Sequence, residues 1–264
     1  MTEASEGFDL VVLGGGSAGY AAALRGAQLG LRTALVEKYK LGGTCLHNGC
    51  IPTKALLHAG EIADRTRDAE LFGVRASFQS MDMASVQRYK EDTVAALCRG
   101  LTGLVMARNI TYVEGEGRLS SPTSVDVDGR RVQGRHVLLA TGSVPKSLPG
   151  LEIDGDRIIS SDHALVLDRV PKSAIILGGG VIGVEFASAW KSFGADVTVI
   201  EGLKHLVPVE DENSSKLLER AFRKRGIKFN LGTFFQKAEY TQDGVKVTLA
   251  DGKEFEAEVL LVAV

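Results

Sequence analysis

The chain has 264 residues, 44% apolar and 24% charged, with a net charge of −2, a balance that fits a globular protein long enough for two domains. That charge excludes a broad cationic surface for nucleic acid. No apolar run reaches the roughly 20 residues of a membrane span, and the opening MTEASEGFDL lacks the basic and apolar regions of a secretory signal, so the default expectation is a cytoplasmic protein with no membrane partner.

The first element is an apolar strand in FDLVVLGGGSAGYAAALRGAQLG, followed by three glycines and a small-residue helix. A second strand, RTALVEK, ends in Glu37. The cysteine-bearing stretch GGTCLHNGCIPTK, Gly42 to Lys54, comes next. Residues 82–108 carry Val86, Tyr89, Val94, Leu97, Leu101, Leu104 and Val105 near helical spacing, which predicts one long helix. Alternating apolar and polar residues broken by Gly and Ser-Pro then predict a small β-meander, closed by the buried strand of HVLLATG. Pro145 and Pro149 in VPKSLPGLEIDG exclude helix, and the domain boundary is placed near Gly150.

The second half repeats the scheme. A strand is expected over 174–178, a helix over 181–193 and a strand over 195–200. A helix follows over about 211–225, with Leu217, Leu218, Ala221 and Phe222 on its apolar face. Arg223-Lys224-Arg225 read as its solvated C-terminus, favoured by the helix dipole. Strands near 227–231, 234–240, 244–250 and 254–264 complete the chain, with turns at Asp243-Gly244 and Asp251-Gly252.

Gly14, Gly16 and Gly19 form one G-x-G-x-x-G, and Gly178, Gly180 and Gly183 form another. An acid stands 23 residues after the first glycine in each case, 14 to 37 and 178 to 201. In such a motif the first glycine makes the strand-to-helix turn, the second lets a pyrophosphate approach the backbone, and the third lets helix pack on strand. The helix N-terminus presents N–H groups to the phosphates, and the acid accepts hydrogen bonds from an adenosine ribose. Two copies predict two dinucleotides or one very long site. The carboxylate of Glu201 would repel a 2′-phosphate, which favours NAD over NADP.

Cys45 and Cys50 lie five apart and admit three readings: a zinc site completed by His47 and His58, two inert thiols, or a redox-active disulfide. A regular helix would keep residues five apart from bridging. Pro52 and Gly49 supply a distortion, however, and Thr44 is a candidate N-cap that would put Cys45 in a first turn. These residues leave the three readings open.

GGTCLHNGCIPTKALLHAGE resembles the redox signature of the pyridine nucleotide-disulfide oxidoreductases, and its tail is most similar to their dihydrolipoamide-oxidising branch. The resemblance runs through the first glycine motif, the cysteine helix, the ATG at Ala140–Gly142 and the second glycine motif. It implies an α/β fold of two Rossmann-like domains, each a parallel sheet plus a β-meander, with an FAD domain over 1–150 and an NAD domain over 151–264. It implies that Cys45 exchanges with a dithiol, that Cys50 faces the flavin, and that Lys54 lies near the flavin N5, paired with Glu185. FAD contacts are expected from Gly14, Gly16, Ser17, Ala18, Gly19, Glu37, Lys38, Gly43, Thr44, Lys54, Gly117, Ala140, Thr141 and Gly142. NAD contacts are expected from Gly178, Gly180, Val181, Ile182, Gly183, Glu201 and Val264. No metal is implied.

The implied partners are a small-molecule or lipoyl-domain dithiol, a 2-oxo acid dehydrogenase complex and a second copy of the parent chain. Mercuric and mycothione reductases share the cysteine motif, though Glu201-Gly202-Leu203 lacks the basic residues that a 2′-phosphate wants. His47-Asn48 departs from the usual residues between the cysteines. The sequence ends inside an expected strand, so the resemblance leads us to expect a truncated chain without the interface domain or its catalytic base, inactive by itself. A non-catalytic dinucleotide-binding fragment is the rival reading from another class.

Overall fold

In each half of the chain an apolar strand feeds a helix through a glycine turn, Leu13 to Ser17 in the first and Leu177 to Val181 in the second. The computed structural model describes residues 7–264. The first six residues of the stretch read as lacking a signal lie outside the described residues. Contacts divide the chain into two units, Met1–Pro52 with Glu91–Val144 and Thr53–Lys90 with Pro145–Val264.

In the first unit, β1 (Phe8–Leu13) leads into α1 (Ser17–Gln28) and β2 (Thr33–Glu37). Then come α2 (Gly43–His47), α3 (Cys50–Arg67) and α4 (Met83–Ala107), the last two passing from one unit into the other along the chain. The strands β3 (Thr111–Glu114), β4 (Gly117–Ser121), β5 (Ser124–Val127) and β6 (Arg130–Leu139) complete a six-stranded sheet of order β3-β2-β1-β6-β5-β4. The long strand β6 joins two pairing modes. Its start is antiparallel to β5, with Val127 opposite Arg130, and its end runs parallel to β1, with Leu13 opposite Leu139. The centre of the sheet is buried on both faces, and Val11, Val12, Ala34, Leu35 and Val36 have no exposure, as helix-covered parallel strands require. Helix α1 turns Gly19, Ala23 and Gly26 inward. A Cβ at Gly26 would lie 3.0 Å from the Thr33 hydroxyl and 3.1 Å from Leu10, so the absent side chain permits close packing of helix on sheet.

The second unit contains β7 (Ile158–Ile159), α5 (Ser161–Leu165), β8 (Ser173–Leu177), α6 (Val181–Phe193), β9 (Asp196–Glu201), α7 (Glu212–Lys224), β10 (Lys228–Leu231), β11 (Phe235–Tyr240), β12 (Val245–Leu249), β13 (Glu254–Ala257) and β14 (Val259–Val262). A parallel sheet of order β10-β9-β8-β14-β7 carries the fold, and β11-β12-β13 form a separate meander. Phe186 and Trp190 of α6, with ring centroids 5.5 Å apart, lie in the core on one side of the sheet. The meander contributes Val245, Val247 and Leu249 to the core with Ile175, Leu177 and Ile200.

The structure corrects several sequence expectations. The stretch 254–264 is two strands in different sheets. The chain changes sheet at Glu258, whose N–H donates to the Ser173 hydroxyl and whose carboxylate accepts from Lys172 N and Arg169. The short elements β7 and α5 lie between the expected linker and the strand at 174, where the sequence pattern predicts no element. Helix α7 buries Ser215, Glu219 and Phe222, while Leu217 is 63% exposed. Its buried carboxylate has a purpose, because Glu219 accepts from Leu206 N and pairs with Arg223. Arg225 is not a solvated helix end. It donates to Ser188, Ser192 and Asp64, joining α6 and α3. Along α4, Val86 and Val105 are buried, whereas Tyr89, Leu97 and Leu104 are exposed.

Candidate functional site

Both glycine turns have closely similar backbone geometry. Gly14 and Gly178 have φ of +105° and +109°, which only glycine adopts without strain. A Cβ on Gly14 would strike the Ala140 carbonyl, and one on Gly178 the Ala263 carbonyl. The third glycines are equally constrained, since a Cβ on Gly19 or Gly183 would collide with the carbonyl of Gly14 or Gly178. The second glycines differ. Nothing lies within 4 Å of a Cβ on Gly180, and only the Gly43 Cα, at 3.6 Å, on Gly16. Gly16 and Gly180 are the N-cap positions of α1 and α6, and no side chain caps either helix. The first bonds across these turns are Tyr20 N to Gly16 O and Val184 N to Gly180 O. The backbone at Ser17, Ala18 and Gly19, and at Val181, Ile182 and Gly183, therefore offers open N–H groups and a positive dipole end. An adenine dinucleotide fits both cradles by this test: tight where the fold needs glycine, open where a pyrophosphate would approach.

The two acids are held by a matching bracket. Glu37 accepts from Gly15 N at 2.7 Å through one oxygen and from Tyr39 N at 2.9 Å through the other. Glu201 accepts from Gly179 N at 2.7 Å and Leu203 N at 2.8 Å. Each carboxylate is thus fixed at the exit of its strand, with lone pairs left for a ribose. Sequence reasoning passed over the middle glycines, Gly15 and Gly179. A Cβ there would crowd Glu37 and Leu41 in the first copy, or Glu201 and Leu206 in the second. The run of three glycines in both copies was the signal for them.

The loop 41–43 closes the first turn. Gly42 N donates to Gly15 O, and a Cβ on Gly43 would overlap the Gly16 Cα. Gly42, with φ of +115°, is the N-cap of α2, so Thr44 lies inside that helix instead of capping it. Helix α2 is one turn long and ends at Asn48, where φ is −131°. Helix α3 starts afresh at Cys50. The break, not a bend at Pro52, brings Cys45 and Cys50 together as a disulfide with Cα atoms 4.6 Å apart. Pro52 sits in the first turn of α3, where its missing N–H costs nothing. His47 donates Nε2–H to Leu41 O at 2.8 Å, and the Cys98 thiol approaches the same carbonyl at 3.7 Å. His58 pairs with Glu61 at 3.2 Å. Cys98 is a free, half-buried thiol.

Four residues beyond Cys50 on α3, Lys54 donates to Glu185 of α6 at 2.6 Å. Their side chains are 58% and 20% exposed. Lys38 lies over the Tyr39 ring, and Thr44 is exposed in the single turn of α2. Ala140 N donates to Leu13 O, and Ala263 N to Leu177 O, so Ala140-Thr141 and Ala263-Val264 flank the first glycine of each turn. Gly142, with φ of +80°, has open space around its missing side chain. Gly117 is different. A Cβ there would point at Leu13, Val36 and Val125, so its lack of a side chain already has a cause in the core.

The sequence matches the family described as pyridine nucleotide-disulphide oxidoreductase over residues 8–264. It is 41% identical to mitochondrial dihydrolipoyl dehydrogenase of Pisum sativum, over 97% of this chain and 53% of the relative. It is also 41% identical to dihydrolipoyl dehydrogenase of Bacillus subtilis, over 97% and 58%. Among solved structures, LpdA of Mycobacterium tuberculosis superposes with a TM-score of 0.86 at 28% identity, over 97% of this chain and 58% of that one. The HOCl-induced flavoprotein disulfide reductase RclA of Escherichia coli gives 0.78 at 28% identity, over 97% and 56%. The chain spans about half the length of the curated relatives it matches.

Proposed function

Because this chain belongs to the pyridine nucleotide-disulphide oxidoreductase family, we propose that it is the dinucleotide-binding and disulfide-bearing half of a dihydrolipoyl dehydrogenase. FAD is held by residues 1–150 and NAD by 151–264. The observation that carries this reading is the Cys45–Cys50 disulfide at the break between α2 and α3, within a chain whose two glycine turns each bracket a carboxylate. A substrate thiolate attacks the Cys45 sulfur, a mixed disulfide forms, and Cys50 leaves as a thiolate. The second substrate thiolate then displaces Cys45. The substrate becomes a cyclic disulfide, and two electrons rest on the cysteine pair. When bound, the flavin supplies the two-electron relay between that pair and the pyridine nucleotide. Lys54, anchored by Glu185, holds a positive charge near the ring, and Glu201 selects the free 2′-hydroxyl of NAD.

The substrate is a small-molecule or lipoyl-domain dithiol, and a 2-oxo acid dehydrogenase complex is the setting in which such a dithiol arises. A cytoplasmic location and a homodimeric parent belong to the same proposal. Among the described residues no helix is long and apolar enough to cross a membrane. By themselves, residues 1–264 hold FAD weakly and do not turn over the dithiol. The test is to reconstitute the chain with FAD and reduce it anaerobically with dihydrolipoamide. A long-wavelength thiolate-to-flavin band should appear, and it should vanish in C50S. Failure to bind FAD even when it is supplied in excess, or alkylation of both cysteines without prior reduction, would overturn the reading.

A further inference from the structure

The subsites of an adenine dinucleotide march across the strand order of a doubly wound sheet. In the second unit the pyrophosphate turn is at the exit of β8 and the ribose carboxylate at the exit of β9. The next exit belongs to the edge strand β10, whose Leu231 is in register with Glu201. Three residues past Leu231 stands Phe234, a phenyl ring left 65% exposed. It is not loose. Its backbone carbonyl accepts from Ala250 N, and Gly232 N donates to Leu203 O, tying this loop to the one that follows Glu201. One ring edge lies on Gly202, so that a Cβ there would be 2.7 Å from both Cδ1 and Cε1. Glycine at 202 therefore makes room for the ring beside the ribose carboxylate.

The first unit shows that this is not a requirement of the fold. There Glu37 is in register with Glu114 of the edge strand β3. Three residues past Glu114 is Gly117, whose missing side chain would point into the core. Counted from the edge-strand register, the corresponding residue carries no side chain in the first unit and an exposed aromatic ring in the second.

We propose that Phe234 is a specificity-determining residue of the second site, stacking on the adenine of a nucleotide whose ribose Glu201 reads. This rests on the proposed nucleotide role of that turn. The ring also occupies the space that a side chain at 202 would need. A basic substitution at Gly202 therefore dislodges the adenine platform before it can meet a 2′-phosphate, and any switch toward NADP has to be made at Leu203 or beyond.

The test is calorimetric titration of the 264-residue chain with ADP-ribose, with FAD retention and the melting temperature as controls on folding. F234A is expected to bind ADP-ribose roughly 5- to 150-fold more weakly, the range for losing one base–aromatic stack. F234Y should bind like the unmodified chain. F234L, which keeps apolar bulk without a ring, should lose most of the affinity. G202A should weaken binding as F234A does, and adding it to F234A should have no further effect. Undiminished binding by F234A, or full affinity in F234L, overturns this inference while leaving the nucleotide site standing. No binding of ADP-ribose by the unmodified chain at millimolar concentration overturns the inference together with the reading beneath it.

Discussion

The two carboxylate brackets predict a crossed pair of phenotypes. Glu201→Ala removes the proposed acceptor of a ribose and strips Gly179 N and Leu203 N of their partner. Hydrogen bonds to a charged group are worth about 1.5–3 kcal/mol, so losing the ribose contact alone should weaken ADP-ribose about 10- to 150-fold. Gly179 is buried, and an unpaired buried donor costs about 1–3 kcal/mol more. For a chain of this size that lowers the melting temperature by roughly 2–4 °C per kcal/mol. Glu37→Ala leaves Gly15 N and Tyr39 N in the same state but should act on FAD. The assay is titration of each variant with both ligands: E201A should lose ADP-ribose and retain FAD, and E37A the reverse. If both variants lost both ligands equally, the acids would be shown to act through folding and not as separate ribose readers.

Three further outcomes come from single residues. Gly183→Ala should destabilise the chain by about 1–3 kcal/mol, as overpacking does, because its Cβ would strike the Gly178 carbonyl, whereas Gly180→Ala faces open space and should spare the melting temperature while weakening nucleotide binding. Arg225→Ala should cost about 2 kcal/mol in denaturant unfolding, since charged hydrogen bonds to Asp64, Ser188 and Ser192 are lost together. Asp154 makes stability pH-dependent. Burial works against its charge, but the Tyr240 hydroxyl and the N–H groups of Asp156, Ile158 and Arg157 outweigh it and hold the carboxyl below its usual value. Its contribution is therefore present above the unfolded pKa of about 3.9 and lost as pH falls through the lower folded value, so Asp154→Asn should lower stability at pH 7 and change it least in strong acid.

Much of the site was legible because its chemistry is local. The glycine spacing and the acid 23 residues on are properties of one strand–turn–helix unit, and the structure reproduces them twice. What escaped the sequence depends on partners far along the chain. Glu219 reads as a surface carboxylate of an amphipathic helix until Leu206 N is found beside it. Arg225 reads as a helix-end charge until Asp64 arrives from 161 residues away. The crossing at Glu258 has no glycine or proline to announce it. The hydroxyl of Ser173, the N–H of Lys172 and the guanidinium of Arg169, all at least 85 residues earlier, fix where one sheet gives way to the other.

The cysteine pair shows how a correct expectation can rest on a misplaced cause. A proline two residues after Cys50 suggests a kinked helix, and a kink could let residues five apart meet. In the structure the proline occupies a helical first turn, where it is tolerated. The separation is made upstream by Asn48, with φ of −131°. Gly49 is crowded rather than free, since a Cβ there would lie 3.0 Å from the Thr44 carbonyl and 3.4 Å from the Cys45 Cα. Glycine is thus needed so that the start of α3 can close over the single turn that carries Cys45. Because α2 is held at its front by Gly42 N on Gly15 O and across its length by His47 on Leu41 O, Cys45 is positioned by the backbone of the dinucleotide turn. By this linkage, closing the first glycine turn and placing Cys45 are one structural event.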